Sequence, residues 1–142
     1  MKRFVFVLLT IAFCSCSPFV LNIKDYAMNS YDLDTAWLKS SSLEYSSDDE
    51  FRSPIETEAY NGGDCFDIAA YLIYYLGKDA SMVVVETDNP DVHHAVVKYH
   101  GKYIEAQIYG RYYDPDDLVV VDEYSYYKLM GYITSYGTRA VK

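Results

Sequence analysis

Asn61-Gly62-Gly63-Asp64-Cys65-Phe66-Asp67-Ile68-Ala69 is the stretch on which the reading of this chain turns. The glycines make a turn, and Asp64 is a good N-cap for a helix that begins at Cys65. Phe66, Ala69, Ala70, Ile73 and Leu76 then recur at the i, i+3, i+4 spacing of a core-facing helical stripe. The spacing predicts a helix from Cys65 to Leu76 that stops at Gly77. Cys65 therefore opens a helix, where the dipole and the free N–H groups stabilise a thiolate. The other two cysteines, Cys14 and Cys16, lie near the N-terminus. With that segment cut, Cys65 has at most a lipidated Cys16 for company, so it forms no intramolecular disulfide. A lone thiol of this kind is either a small buried apolar group or a nucleophile.

Lys2 and Arg3 precede an apolar run from Phe4 to Phe13, the layout of a secretory signal over residues 1–16. The run is shorter than the about 20 residues that span a bilayer. Phe13-Cys14-Ser15-Cys16 resembles a bacterial lipobox, with Ser15 as the small residue before a lipidated Cys16. Phe13 departs from the usual Leu. The expectation is an exported protein held at a membrane by a lipid anchor on Cys16, facing the periplasm or the cell surface. The rest is one domain's worth of chain. The net charge is -9, and loss of Lys2 and Arg3 makes it two units more negative. That argues against nucleic acid and anionic head groups as partners.

Residues 17–55 read as a lead-in and a Ser- and acid-rich loop, with a short helix around Thr35 to Lys39 that docks through Trp37. The domain proper is placed at 56–142. Ser81 to Glu86 is a buried strand, Asp88-Asn89-Pro90-Asp91 a turn, and His94 to Tyr99 a second strand. His100-Gly101 makes a two-residue turn into a third strand, Lys102 to Ile108. Leu118 to Val121 reads as a further strand and Tyr124 to Tyr132 as a terminal helix. A helix packed on a mostly antiparallel sheet is an α+β domain.

If Tyr99 faces Lys102, Val96 faces Glu105 and His94 faces Gln107. Side chains two apart share a face, so His94, Glu105 and Gln107 project together, with Glu105 diagonal to His94. A cysteine nucleophile needs a base and a group that orients the base. His94 is the candidate base. Glu105 would stabilise its imidazolium, and Gln107 is the alternative third residue. His93 points to the other face. The backbone N–H of Cys65 is one oxyanion donor; Asn61 is the candidate for the second, beside Tyr60 and Trp37.

Gly63-Asp64-Cys65-Phe66-Asp67-Ile68-Ala69, His94-Ala95-Val96-Val97 and Tyr103-Ile104-Glu105-Ala106-Gln107 together resemble the transglutaminase-like superfamily of papain-like cysteine peptidases and acyltransferases, in a bacterial lipoprotein-type member. The resemblance covers about residues 60–108. It implies a papain-like core, with the Cys-bearing helix packed on the sheet. It also implies Cys65 as nucleophile, His94 as base and Glu105 as third member, where the family usually has Asp. The function implied is hydrolysis or acyl transfer at an amide bond of a protein or of a peptidoglycan peptide.

Two other readings compete. NlpC/P60 cell-wall peptidases also start a helix with Asp-Cys, but Phe66-Asp67 succeeds Cys65 here in place of their Ser-Gly. The gap of 29 positions from Cys65 to His94 is also short for them. A non-catalytic acidic lipoprotein could instead bind a partner through its 17 tyrosines. No CxxC or HxxxH spacing and no phosphate loop occurs, so no metal site and no cofactor are expected. Asp114-Pro115-Asp116-Asp117 reads as a solvated loop.

Overall fold

The computed structural model describes residues 31–47 and 51–137. The signal segment, Cys14 and Cys16 lie outside the described residues. Helix α1 (Leu33–Ser41) starts at Asp32, whose carboxylate accepts from Thr35 N at 3.0 Å. Strand β1 (Glu44–Tyr45) comes next. Helix α2 (Pro54–Ala59) has a full capping box between Ser53 and Glu56, with Pro54 in its first turn. Strand β2 (Gly62–Gly63) pairs parallel with β1, Glu44 opposite Gly62 and Tyr45 opposite Gly63. α1 contains the short helix expected around Thr35 to Lys39, and the rest of the region read as lead-in and loop carries β1 and the start of α2. Trp37 is buried in the main core at 1% exposure, as expected, and α1 packs on α3, so α1 belongs to the same packed unit.

Helix α3 (Cys65–Leu76) runs over the predicted span and ends at Gly77, where φ is +79°. It differs from the expected one-sided stripe, because α1, α2, the sheet and α4 all pack on it. Ile68, Ala69, Ala70, Leu72 and Ile73 are all fully buried.

Five antiparallel strands form the sheet, in the order β6-β5-β4-β3-β7. They are β3 (Ala80–Glu86), β4 (His93–Tyr99), β5 (Lys102–Ile104), β6 (Tyr112–Tyr113) and β7 (Val120–Ser125). Helix α4 (Tyr126–Gly137) closes the described chain. The α+β expectation holds: one sheet face packs on α3 through Met82, Ala95, Val97 and Ile104. The other face buries Val83, Val85 and Val96 against Tyr103, Tyr113 and Leu118.

The β4–β5 hairpin has the predicted register, with Tyr99 opposite Lys102 and Val97 opposite Ile104. His100 and Gly101 both have positive φ, +47° and +77°, as a two-residue turn that matches strand twist requires. β5, however, stops at Ile104 rather than Ile108. Past Ile104 the pairing with β4 ends; Glu105 N donates to Arg111 O at 3.0 Å, one step beyond the β5–β6 pairs, and the chain turns between them. The last strand and helix also lie further on than expected, at Val120–Ser125 and Tyr126–Gly137.

Candidate active site

Cys65 is placed by its neighbours on both sides. Asp64 Oδ1 accepts from Phe66 N at 2.8 Å and Asp67 N at 3.0 Å, which caps α3. Asp67 reaches back to Asp64 N at 3.3 Å and also accepts from Arg52 N at 2.8 Å. The Arg52 guanidinium lies 3.6 Å from the same buried carboxylate. Burial pushes the Asp67 carboxyl up to about 6, against these donors. Gly63 lies against this carboxylate, since a Cβ there would meet Asp67 Cβ at 2.5 Å. Gly63→Ala should therefore shift the turn that presents the thiol. We expect a loss of about 1–3 kcal/mol in urea unfolding and slower alkylation of Cys65. Full stability and reactivity in that variant would show that the close packing is relieved elsewhere.

Cys65 is 9% exposed and is the free cysteine among the described residues. Cys65 is one of the two side chains, with Glu105, that act on the His94 imidazole. His94 Nε2 in turn lies 2.7 Å from Glu105 Oε2. The structure thus brings Cys65, His94 and Glu105 together. Cys65 and then the Glu105 carboxylate raise the His94 imidazole to about 9, against the effect of burial. Burial pushes the Glu105 carboxyl up, but hydrogen bonds from His94 and Tyr113 more than offset it and hold it below its ordinary value. The site therefore favours an imidazolium beside a carboxylate.

Glu105 is fixed from several directions. The Tyr113 hydroxyl donates to the same Oε2 that faces His94. Gln107 N donates to Oε1 at 3.2 Å. The Trp37 indole N–H donates to the Glu105 carbonyl at 2.6 Å, and Ser40 Oγ to the Ala106 carbonyl at 2.8 Å. α1 therefore clamps the segment that carries the acid.

Gln107 takes no place opposite His94, because β5 ends before it; it meets Glu105 through its backbone. His93 is exposed and pairs with Glu86. Asn61 is an exposed turn residue with φ +56°, its carbonyl accepting from Glu44 N at 2.9 Å. Tyr60 is 74% exposed, and the Trp37 N–H is taken by Glu105. Tyr113 and Tyr45 join the site without any sequence motif to mark them. Burial, then the charges of Cys65 and Asp64, raise the Tyr45 hydroxyl.

No protein-family model matches the sequence, and no curated protein matches it. Solved structures match the fold. LapG of Legionella pneumophila superposes with a TM-score of 0.57 at 17% identity, over 73% of this chain and 66% of that one. Calcium-bound LapG gives 0.54 over the same shares. EGTA-treated LapG gives 0.53, over 73% and 64%. The fold is transglutaminase-like.

The chain covers slightly less than two thirds of LapG's length. Among the described residues no group of three or more His, Cys, Asp or Glu side chains is placed to hold a metal ion.

Proposed function

We propose that this protein is an exported cysteine hydrolase or acyltransferase acting on amide bonds, held at a membrane by a lipidated Cys16. The observation that carries the reading is the His94–Glu105 pair, 2.7 Å apart, acting with Cys65 at the start of a buried helix. LapG is a transglutaminase-like cysteine protease, and the shared fold supports the same chemistry here.

In this reading the Cys65 sulfur attacks the amide carbon, and the His94 imidazolium gives its proton to the leaving amine. A thioester remains on Cys65. Water or a second amine then gives up a proton to His94 and releases the acyl group. Glu105 holds the imidazole orientation and its charge. The backbone N–H of Cys65 is one donor for the oxyanion. Among the described hydrogen bonds none uses that N–H, whereas those of Phe66 and Asp67 are taken by Asp64. The substrate is a protein or a peptidoglycan peptide.

Hydroxylamine intercepts a thioester and leaves a hydroxamate. With the purified full chain, hydroxamates should form from protein or muropeptide mixtures, and Cys65→Ala should abolish them. Equal yields from both proteins would remove Cys65 as the nucleophile. A chain inert on every mixture would favour the binding lipoprotein. The anchor is tested separately, since a fatty-acid label on the chain should disappear in Cys16→Ser.

A further inference from the structure

We propose that the apolar cleft beside Cys65 receives a bulky apolar side chain of the peptide whose carbonyl the thiol attacks. The assignment rests on the reading of Cys65 as a nucleophile. The cleft holds about 360 Å³. Phe51, Phe66, Met82, Tyr124, Leu129 and Tyr132 line it, together with Asp64. Cys65 stands in the chain between two of those residues, Asp64 and Phe66. A side chain seated in the cleft therefore belongs to a peptide whose backbone passes the first turn of α3, where the thiol lies.

Size and charge select the occupant. The volume suits one large side chain and is too small for a partner helix, which is about 10–12 Å across. The walls are aromatic and aliphatic, so an aromatic or branched aliphatic group gains most from entering. Asp64 is the only charged residue of the lining, and its Oδ1 caps α3 through Phe66 N and Asp67 N, so the other six residues set the character of the cleft. The net charge of -9 disfavours an acidic occupant. The walls are also held in place before anything binds. Phe51 and Tyr132 meet edge to face with ring centres 5.8 Å apart, and Lys128 sits 4.2 Å from the centre of the Tyr124 ring.

Acetyl-X-glycine chloromethyl ketones carry the test, with X as phenylalanine, leucine, lysine, aspartate or glycine. Each is applied to the full chain, and loss of the free Cys65 thiol is monitored by mass spectrometry. Iodoacetamide, which has no side chain to seat, is run in parallel. The phenylalanine and leucine reagents should react about 10-fold or more faster than the glycine reagent. Tyr132→Asp places a carboxylate at a position that is 45% exposed, so the fold should tolerate it. It should bring the phenylalanine-to-glycine ratio close to one. Tyr127→Asp, at a 65% exposed position outside the cleft, should leave that ratio as it was.

Rapid iodoacetamide reaction with equal rates for all five reagents would overturn the cleft assignment and leave the nucleophile reading standing. A ratio that survives Tyr132→Asp, or a preference for lysine or aspartate, would overturn it too. A thiol slow toward iodoacetamide and toward every reagent would remove the nucleophile reading, and the cleft assignment with it.

Discussion

Replacing His94 with alanine should slow the alkylation of Cys65 by iodoacetamide at pH 7 by about 100-fold, the lower end of what a positioned acid–base group contributes. The reason is the chain of charge in the site. Glu105 holds the imidazolium, and the imidazolium holds the sulfur. His94, raised to about 9, keeps its proton through this range, so its contribution to the rate should stay level between pH 7 and 9. In His94→Ala the rate should climb with pH, as it does for an unassisted thiol. Glu105→Gln keeps a hydrogen-bonding group of similar size and removes the countercharge. His94 should then release its proton at lower pH, and the flat region should end sooner.

Stability should track the same titration. The folded-state value lies above the ordinary 6.5, so the pairing stabilises fully below about pH 6.5 and is lost as pH rises through about 9. The unfolding midpoint of the wild type should therefore fall over that range more steeply than that of His94→Ala. Identical rates and identical pH profiles in the two proteins would mean that His94 does nothing for Cys65.

Local rules carried the parts of this fold that local rules govern. The helix at Cys65 was legible because its cap, its stop and its apolar spacing agree over one continuous stretch. The hairpin was legible because a two-residue turn dictates every pairing behind it. That register put His94 and Glu105 on one face before any contact was known. Helix α2 carries a readable start, Ser53-Pro54-Ile55-Glu56, but the serines and acids before it dominated the composition of the region, and a six-residue helix offers little period.

The length of β5 was not legible. After Glu105 the chain turns, with Ile108 N donating to the Glu105 carbonyl and Arg111 N to the Ile108 carbonyl, and no strand pattern records that turn. Tyr113 escaped for a different reason. Among 17 tyrosines, nothing local separates the one whose hydroxyl meets Glu105 from those that only pack. The contribution of Trp37 was half legible. Its burial was expected, but its bond to a carbonyl 68 residues away is a product of the tertiary fold alone.

That bond supports the second large effect. Trp37→Ala should cost about 3–5 kcal/mol in urea unfolding, as large-to-small changes of buried aromatics do. This is a substantial share of the about 5–15 kcal/mol that a domain has in total. Two losses combine. The indole is 1% exposed and packs edge to face on Tyr109 and Tyr112, with ring centres 5.2 and 5.1 Å away. It also donates to the Glu105 carbonyl, which would otherwise keep only the longer 3.4 Å bond from Ile108 N, a loss of about 0.5–1.5 kcal/mol.

Trp37→Phe separates the two, since it keeps most of the packing and removes only the donor. If Trp37 positions the acid, Trp37→Phe should lose about 0.5–1.5 kcal/mol and also slow Cys65 alkylation several-fold. It should shorten the flat part of the pH profile in the same direction as Glu105→Gln, because a loosened Glu105 holds the imidazolium less well. A Trp37→Phe protein that is less stable but has the wild-type rate and profile would reduce Trp37 to a packing residue. The outcome therefore decides whether α1 is part of the working site or only its support.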